Sequence, residues 1–268
     1  MRKIIHLSDL HFGRIRKAVM QPLIQEIASY KPDLIVISGD LTMRAKVKEF
    51  EETKAFLDSL PYPKIIVPGN HDIPLYNLFT RFFRALNKFK KYITEDLFPI
   101  YQDEEMVIYG LNSARSKLIM KGEVDLEQIA HICAELDKLP ENLIKIIVTH
   151  HPFDLPIAKK NMYLIKKSRI AMEMLLLSKV DLFMAGHVHS STIHISDFSR
   201  DIGHNSLFIQ AGTATSVRTR REENAFNVLH LDYPELRITT CFWDLDKGNF
   251  KPQVEQNYRH GAKGWEII

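Results

Sequence analysis

Five short polar clusters in this chain carry side chains that bind divalent cations: Asp9 with His11, Asp40, Asn70 with His71 and Asp72, His150 with His151, and His187 with His189. Carboxylate and imidazole donors suit zinc, manganese, iron or nickel better than calcium. The lack of thiolates among them argues against a closed structural zinc site. In Asp9-Leu10-His11 and His187-Val188-His189 the spacing of two puts both side chains on one side of an extended backbone, so each pair can grip one ion. Gly39, Gly69 and Gly186 beside the clusters let the chain turn sharply. Singly, each cluster is a weak signal, and a lone histidine is more often a surface or satisfied core residue. Their weight comes from position, because all five directly follow short apolar runs.

The positioning elements are Ile4–Leu7, Leu34–Ile37, Ile65–Val67, Val107–Leu111, Ile144–Val148 and Leu182–Ala185. These Ile- and Val-rich runs read as strands buried on both faces. Between them lie helical patterns, with Val47, Phe50, Leu57 and Leu60 on one face and Leu126, Ile129, Cys133, Leu136 and Leu139 on another. Alternating strands and helices predict an α/β architecture with a largely parallel inner sheet, whose ligands gather beyond the carboxyl ends of the strands. After Gly186 the runs Ser191–Ile195, Ser206–Gln210, Ala225–Leu231 and Leu236–Trp243 predict a second, mostly antiparallel sheet packed on the first. Residues 76–99 are rich in aromatic and basic side chains. They read as a helix packed on the core by its aromatics, with a cap over a site as the alternative. Residues 244–268 read as a polar tail with a few anchors, Tyr258 and Trp265 among them. With no linker, repeat or low-complexity tract, residues 1–268 are expected to form a single domain.

The 268 residues are 45% hydrophobic and 26% charged, ordinary for a globular protein able to bury its own core. The net charge of +3 is too small to indicate a nucleic-acid or membrane partner. The densest basic patches are Lys88 with Lys90 and Lys91, Lys159 with Lys160, and Arg218 with Arg220 and Arg221, all short and interrupted. Cys133 and Cys241 lie far apart without metal-ligand spacing, and neither suggests an oxidising compartment. No apolar run approaches the roughly 20 residues of a membrane span, and the N-terminal apolar stretch is too short for a secretory segment. A cytoplasmic protein is the expectation, with oligomeric state left open.

The ordered set Asp9-x-His11, Gly39-Asp40, Gly69-Asn70-His71-Asp72, His150 and Gly186-His187-x-His189 resembles the full motif series of calcineurin-like metallophosphoesterases, most closely the subgroup with class III cyclic-nucleotide phosphodiesterases. Leu7-Ser8-Asp9-Leu10-His11-Phe12-Gly13, Gly110-Leu111-Asn112-Ser113-Ala114-Arg115 and Ala211-Gly212-Thr213-Ala214-Thr215 extend the likeness over roughly residues 2–232. The resemblance implies a four-layer α-β-β-α sandwich of two mixed sheets flanked by helices, with the metal site at the carboxyl ends of strands. It implies two divalent or trivalent ions (Mn, Fe or Zn). Asp9, His11, Asp40 and His189 would hold one, and Asp40, Asn70, His150 and His187 the other, with Asp40 bridging. His151 would then steady a ligand, and Asp72 would orient His71.

The activity implied is hydrolysis of a small-molecule phosphoester by a hydroxide held between the metals, with His71 beside the leaving-group oxygen. A diester, with a 3′,5′-cyclic nucleotide as the lead, is expected. A phosphomonoester, a glycerophosphodiester or a nucleotide-sugar lipid are the alternatives. A DNA nuclease fits less well, for want of a long basic stripe. A catalytically silent scaffold fits poorly, because no ligand position is missing. Asn112, Arg115 and Arg218 are left without a catalytic role, since each has an ordinary surface or turn-capping explanation.

Overall fold

The structure, a computed structural model, describes residues 1–156, 163–218 and 222–268; Lys159, Lys160, Arg220 and Arg221 lie outside the described residues. The chain runs β1 (Arg2–Leu7), α1 (Lys17–Tyr30), β2 (Leu34–Ile37), α2 (Val47–Asp58) and β3 (Lys64–Ile66), then a single 3-10 turn, Asn70–Asp72. Next come α3 (Leu78–Phe83), α4 (Asn87–Tyr92), β4 (Ile100–Gln102), β5 (Met106–Leu111), β6 (Gly122–Glu123) and α5 (Leu126–Leu136). They are followed by β7 (Ile144–Thr149), β8 (Ile165–Lys166), α6 (Ser168–Leu177), β9 (Leu182–Ala185), β10 (Thr192–Ile195) and α7 (Asp197–Ile202). The chain closes with β11 (Leu207–Gln210), β12 (Ala225–Asp232), β13 (Glu235–Asp244), β14 (Asn249–Gly261) and β15 (Gly264–Ile267).

Two mixed sheets form the middle layers. One has the order β15-β14-β13-β12-β1-β2-β3 and the other β10-β11-β9-β7-β5-β4. In the first, β1, β2 and β3 are parallel while β12 to β15 add antiparallel beyond β1. In the second, β5, β7, β9 and β11 are parallel and the edge strands β4 and β10 are antiparallel.

Alternation along each strand explains the layering, because successive side chains point to opposite faces. Ile4, Val36, Ile146 and Met184 point between the sheets and build the central core. Ile5, Leu7, Ile35 and Ile37 point outward and are covered by Val19, Leu23 and Ile27 of α1 and Phe50 and Phe56 of α2. Ile147 and Phe183 do the same against Ile129 and Ile132 of α5 and Leu175 of α6. Runs that read as buried on both faces are therefore buried between two different partners.

Four expectations need correction. The strands do not divide by chain order into a parallel sheet and a later antiparallel one. β12–β15 instead extend the β1 edge, and β10 and β11 join β9 in the other sheet. Residues 244–268 are mostly sheet and not a tail, because β14 and β15 bury Tyr258 and Trp265 in the inter-sheet core. The aromatics of residues 76–99 are not all packed. Phe89 of α4 is fully buried, and Tyr92 stacks on Phe50 at 6.2 Å, whereas the α3 rings face solvent. Val47, expected on the buried face of α2, sits exposed in its first turn.

His6, near the carboxyl end of β1, is fully buried with its Nε2 2.9 Å from Ser38 Oγ. Burial, partly opposed by the charge of Asp9, pushes its pKa down to about 3. The folded pKa lies below the unfolded one near 6.5, so the stability held by neutral His6 is complete above pH ~6.5 and is lost as pH falls toward 3. Urea unfolding at pH 7 and pH 5 should show the wild type losing about 2 kcal/mol more than His6→Gln over that interval. Equal losses in the two proteins would mean that His6 does not carry this dependence.

Candidate metal centre

The five clusters meet at one end of the sandwich, across the seam between its sheets. Asp9 and His11 follow β1, Asp40 follows β2, and Asn70 and His71 follow β3, all from one sheet. His150 and His151 follow β7, and His187 and His189 follow β9, from the other. Backbone bonds set the turns against one another: Asp9 N–H donates to Gly39 O (3.1 Å), His11 N–H to Asp40 O (2.9 Å) and Gly186 N–H to His150 O (3.0 Å). Hydrogen bonds also cross the seam. His187 N–H donates to Asp9 Oδ2 (2.9 Å), and His150 Nδ1 donates to Ser38 O (2.8 Å).

The local backbone is strained where the ligands sit. Asp9, His11, Asp40, His187 and His189 all have φ between 50° and 71°, the left-handed region that side chains other than glycine disfavour. Each such residue costs on the order of 1–3 kcal/mol, which only a heavily cross-bonded surround can hold. Gly186 shows how tight that surround is, because a Cβ there would lie 1.7 Å from Ser8 Oγ and 2.6 Å from Asp9 Oδ2.

Two groups of donors result. Asp9, His11, Asp40 and His189 form one, and His150, His151 and His187 form the other, the ligand atoms of each group lying within 4.8 Å of one another. Asp40 faces both, with Oδ2 3.7 Å from His11 Nε2 and Oδ1 3.3 Å from His150 Nε2. Asn70 Oδ1 lies 3.1 Å from His150 Nε2, on the second group's side. All seven residues expected as ligands are thus brought together. His151, expected only to steady a ligand, lies within the second group. Its Nδ1 is 2.9 Å from Ser113 Oγ, and its Nε2 is buried without a partner among the described residues.

The donor chemistry fits metal ions. A carbonyl can only accept, so the bonds to Ser38 O and Arg218 O place the ring hydrogens of His150 and His189 on Nδ1. Their Nε2 lone pairs then point inward, where His189 Nε2 meets Asp9 Oδ1 at 3.1 Å and His11 Nε2 at 3.2 Å. Asp9 Oδ1 and Asp40 Oδ2 are buried acceptors with no hydrogen-bond donor among the described residues. Lone pairs facing lone pairs in a dry interior call for a positive charge between them, a metal ion or a proton on one of the rings.

The electrostatics agree. Burial, the largest single influence, opposes ionisation of Asp9 and Asp40, but the surrounding histidines together, His189 foremost for Asp9 and His150 for Asp40, outweigh it and hold both carboxyls well below their usual range. Burial also opposes charge on His150 and His189. Asp40 nevertheless pushes His150 up to about 9, and Asp9 raises His189. Burial and the charge of His150 push His187 down to about 3, while burial, His187 and His150 keep His151 well below the ordinary histidine value. A proton on His150 thus supplies positive charge when no metal does, and Asp9 favours one on His189.

Around the centre, several expectations change. Asp72 does not orient His71. Its carboxylate accepts from the backbone N–H of Leu41, Thr42 and Gly69 and from Thr42 Oγ1, tying the turn after β3 to the turn after β2. Burial and the nearby Asp40 charge, against those N–H donors, raise its pKa to about 6. His71 is oriented by Met43 O, 2.9 Å from its Nδ1, and its Nε2 accepts from Arg218 Nη1 at 3.1 Å. Arg218, given no role from sequence, therefore stands beside the centre. Only its arginine identity hinted at phosphate contact, and nothing local tied it to His71. Arg115 folds back on its own loop, donating to Asn112 O and Ala114 O. Asn112 Oδ1 caps that turn by accepting from Ala114 N–H.

Metal binding should displace the proton that His150 holds and any that Asp9 favours on His189. Adding Mn²⁺ or Zn²⁺ to metal-free protein in weak buffer near pH 7.5 is expected to release about one to two protons per chain. His189→Ala would lower that number. Saturable metal binding with no proton release would contradict the charge arrangement described.

Comparison with known proteins fits this geometry. Residues 2–191 match the model of the family described as calcineurin-like phosphoesterase. A probable glycerophosphodiester phosphodiesterase GpdQ of Arcobacter nitrofigilis is 29% identical over 164 residues, 59% of this chain and 57% of that protein. The UDP-2,3-diacylglucosamine pyrophosphatase LpxG of Chlamydia trachomatis is 38% identical over 77 residues, 28% of this chain and 23% of that protein. The chain thus spans little more than half the length of one such relative and less than a quarter of the other. Among solved structures, a dimetal phosphatase from Danio rerio superposes with TM-score 0.71 at 12% identity, covering 97% of this chain and 99% of its own. A purple acid phosphatase from yellow lupin, Lupinus luteus, superposes with TM-score 0.70 at 12% identity, covering 95% of this chain and 53% of its own. These two similarities establish the sandwich fold. With the family match covering well over half its length, the chain belongs to the calcineurin-like phosphoesterase family.

Proposed function

We propose that the protein hydrolyses a phosphodiester using two metal ions. Asp9, His11, Asp40 and His189 hold one, Asp40, Asn70, His150 and His187 hold the other, and His151 lies close enough to join the second set. The observation that carries this reading is Asp40, whose two oxygens face the two donor groups from between them. When bound, such ions activate water near neutral pH and neutralise charge on the phosphoryl oxygens. Oxygen and nitrogen donors without thiolate favour Mn, Fe or Zn. A cytoplasmic setting accords with the two free cysteines, Cys133 and Cys241. Among the described residues no helix is long and apolar enough to cross a membrane.

The chain's own part is positioning and proton management. Met43 O holds the His71 ring through Nδ1, which leaves Nε2 as the nitrogen that would face a leaving group. Arg218 can turn its guanidinium onto a phosphoryl oxygen, which releases Nε2 to hold a proton at the leaving oxygen. Beside His71 and Asn70 a cleft lined by Arg44, Ile73, Leu75, Arg81 and Ile119 mixes cationic and apolar groups. At about 40 Å³ the cleft can meet only the edge of an organic group on the ester oxygen beside His71, so the diester reading rests on the relatives. The names of the two relatives, a glycerophosphodiester phosphodiesterase and a pyrophosphatase, agree with it. A 3′,5′-cyclic nucleotide and a glycerophosphodiester are the first substrates to compare.

Manganese-supplemented hydrolysis of bis-p-nitrophenyl phosphate, p-nitrophenyl phosphate, cyclic AMP and a glycerophosphodiester tests the proposal. Diester turnover should exceed monoester turnover and fall by at least roughly 10²-fold in Asp40→Ala. His71→Ala should keep its metal and lose roughly 10²-fold, more for poor leaving groups than for p-nitrophenolate. Monoester-only turnover would move the protein to the phosphatases. No turnover with any metal would overturn the reading.

A further inference from the structure

We propose that the α3 face and the adjoining 115–121 segment form a docking surface for an anionic lipid bilayer, which brings the mouth of the metal centre against the membrane. This goes beyond the catalytic reading and does not depend on it.

Tyr76, Leu78, Phe79, Phe82 and Phe83 are between 51% and 77% exposed. Few apolar side chains of this size stand clustered in water without a partner to cover them. The patch is continuous with a second one. Buried Arg81 donates to Pro74 O (3.2 Å) and Leu118 O (2.8 Å), which fastens α3 to the 115–121 segment, where Ile119 and Met120 are also exposed. It is also continuous with the catalytic opening, because Leu75, Arg81 and Ile119 line one cleft with Asn70 and His71.

Charge identifies the occupant. The whole chain carries only +3, yet residues 73–94 contain Arg81, Arg84, Lys88, Lys90 and Lys91 and no acidic residue. Residues 114–122 add Arg115, Lys117 and Lys121, again without an acid, and Glu95 and Asp96 come only after α4. Arg84 lies 5.9 Å over the Phe79 ring and Arg44 5.3 Å over Tyr76, so cations rim the aromatics. A second copy of this chain, paired through the same face, would set these cations against themselves. Single-stranded nucleic acid would stack on the rings, but Leu78, Ile119 and Met120 offer no stacking face. An anionic bilayer satisfies both halves. Apolar side chains enter the boundary between headgroups and acyl chains, and lysines and arginines stay with the lipid phosphates.

The test is co-sedimentation with vesicles of phosphatidylcholine alone and of phosphatidylcholine with about a quarter phosphatidylglycerol. It is run with and without EDTA and beside bis-p-nitrophenyl phosphate turnover. The expected result is binding to the anionic vesicles in either condition, weakened at about 0.5 M NaCl. Phe79→Ser/Phe83→Ser should bind at least tenfold more weakly while keeping wild-type Tm and turnover of the soluble diester. Lys90→Glu/Lys91→Glu, on a different helix, should lose the preference for anionic lipid. The proposal is overturned by no binding to anionic vesicles, by binding unchanged in both variants, or by a concentration-dependent dimer that Phe79→Ser/Phe83→Ser abolishes. Displacement from vesicles by a single-stranded oligonucleotide would also overturn it, in favour of nucleic acid. Lost vesicle binding with retained turnover, or the converse, separates this surface from the catalytic centre.

Discussion

Two carboxylates, Asp9 and Asp40, are held in the dry interior with an unpaired oxygen each, and that burial sets the terms for everything around them. A buried carboxylate is tolerable only beside positive charge, which here comes from protonated His150, from a proton that Asp9 favours on His189, or from metal ions. The imidazoles must therefore approach with lone pairs inward, and carbonyl acceptors at Ser38 and Arg218 fix them so. The left-handed backbone at five ligand positions is a further consequence, since each ligand lies in a turn bent to aim it at the others. Such strain persists because the turns are bonded across the seam.

The sandwich supplies the stiffness this requires. Because the donors come from the ends of strands in both sheets, their spacing depends on how the sheets pack, and hence on the inter-sheet core of Ile4, Val36, Ile146, Met184 and their neighbours. β14 and β15 contribute at a distance by placing Tyr258 and Trp265 in that same core. Asp72 acts closer in, by locking two ligand-bearing turns together through backbone donors.

The surface beside the centre follows another rule. α4 turns Phe89 into the core, while α3 next to it leaves its rings in water and its one buried cation, Arg81, facing the cleft. Net charge averages this contrast away. A chain at +3 can still present a strongly cationic and apolar rim when its acids are placed elsewhere.

Much of the centre was legible from residue order alone. Asp9, His11, Asp40, Asn70, His150, His187 and His189 each end an apolar run, and strand-end geometry forces such residues together wherever the strands lie side by side. The strands themselves were legible because two-sided burial leaves unbroken Ile and Val runs. Other features depended on tertiary contact. Chain order cannot say which sheet a strand joins, so the division of the donors between two sheets was decided by packing. The amphipathic, mostly polar sequence of β14 looked like a tail because backbone pairing with β13 and β15 and a few anchors suffice to hold it. The approach of Arg218 to His71, the proximity of His151 to the second donor group and the exposure of the α3 phenylalanines are likewise matters of distance. The residue types fix what chemistry is available, through lone pairs, charge and apolar area, whereas long-range packing alone decides which of those groups meet and which remain in solvent.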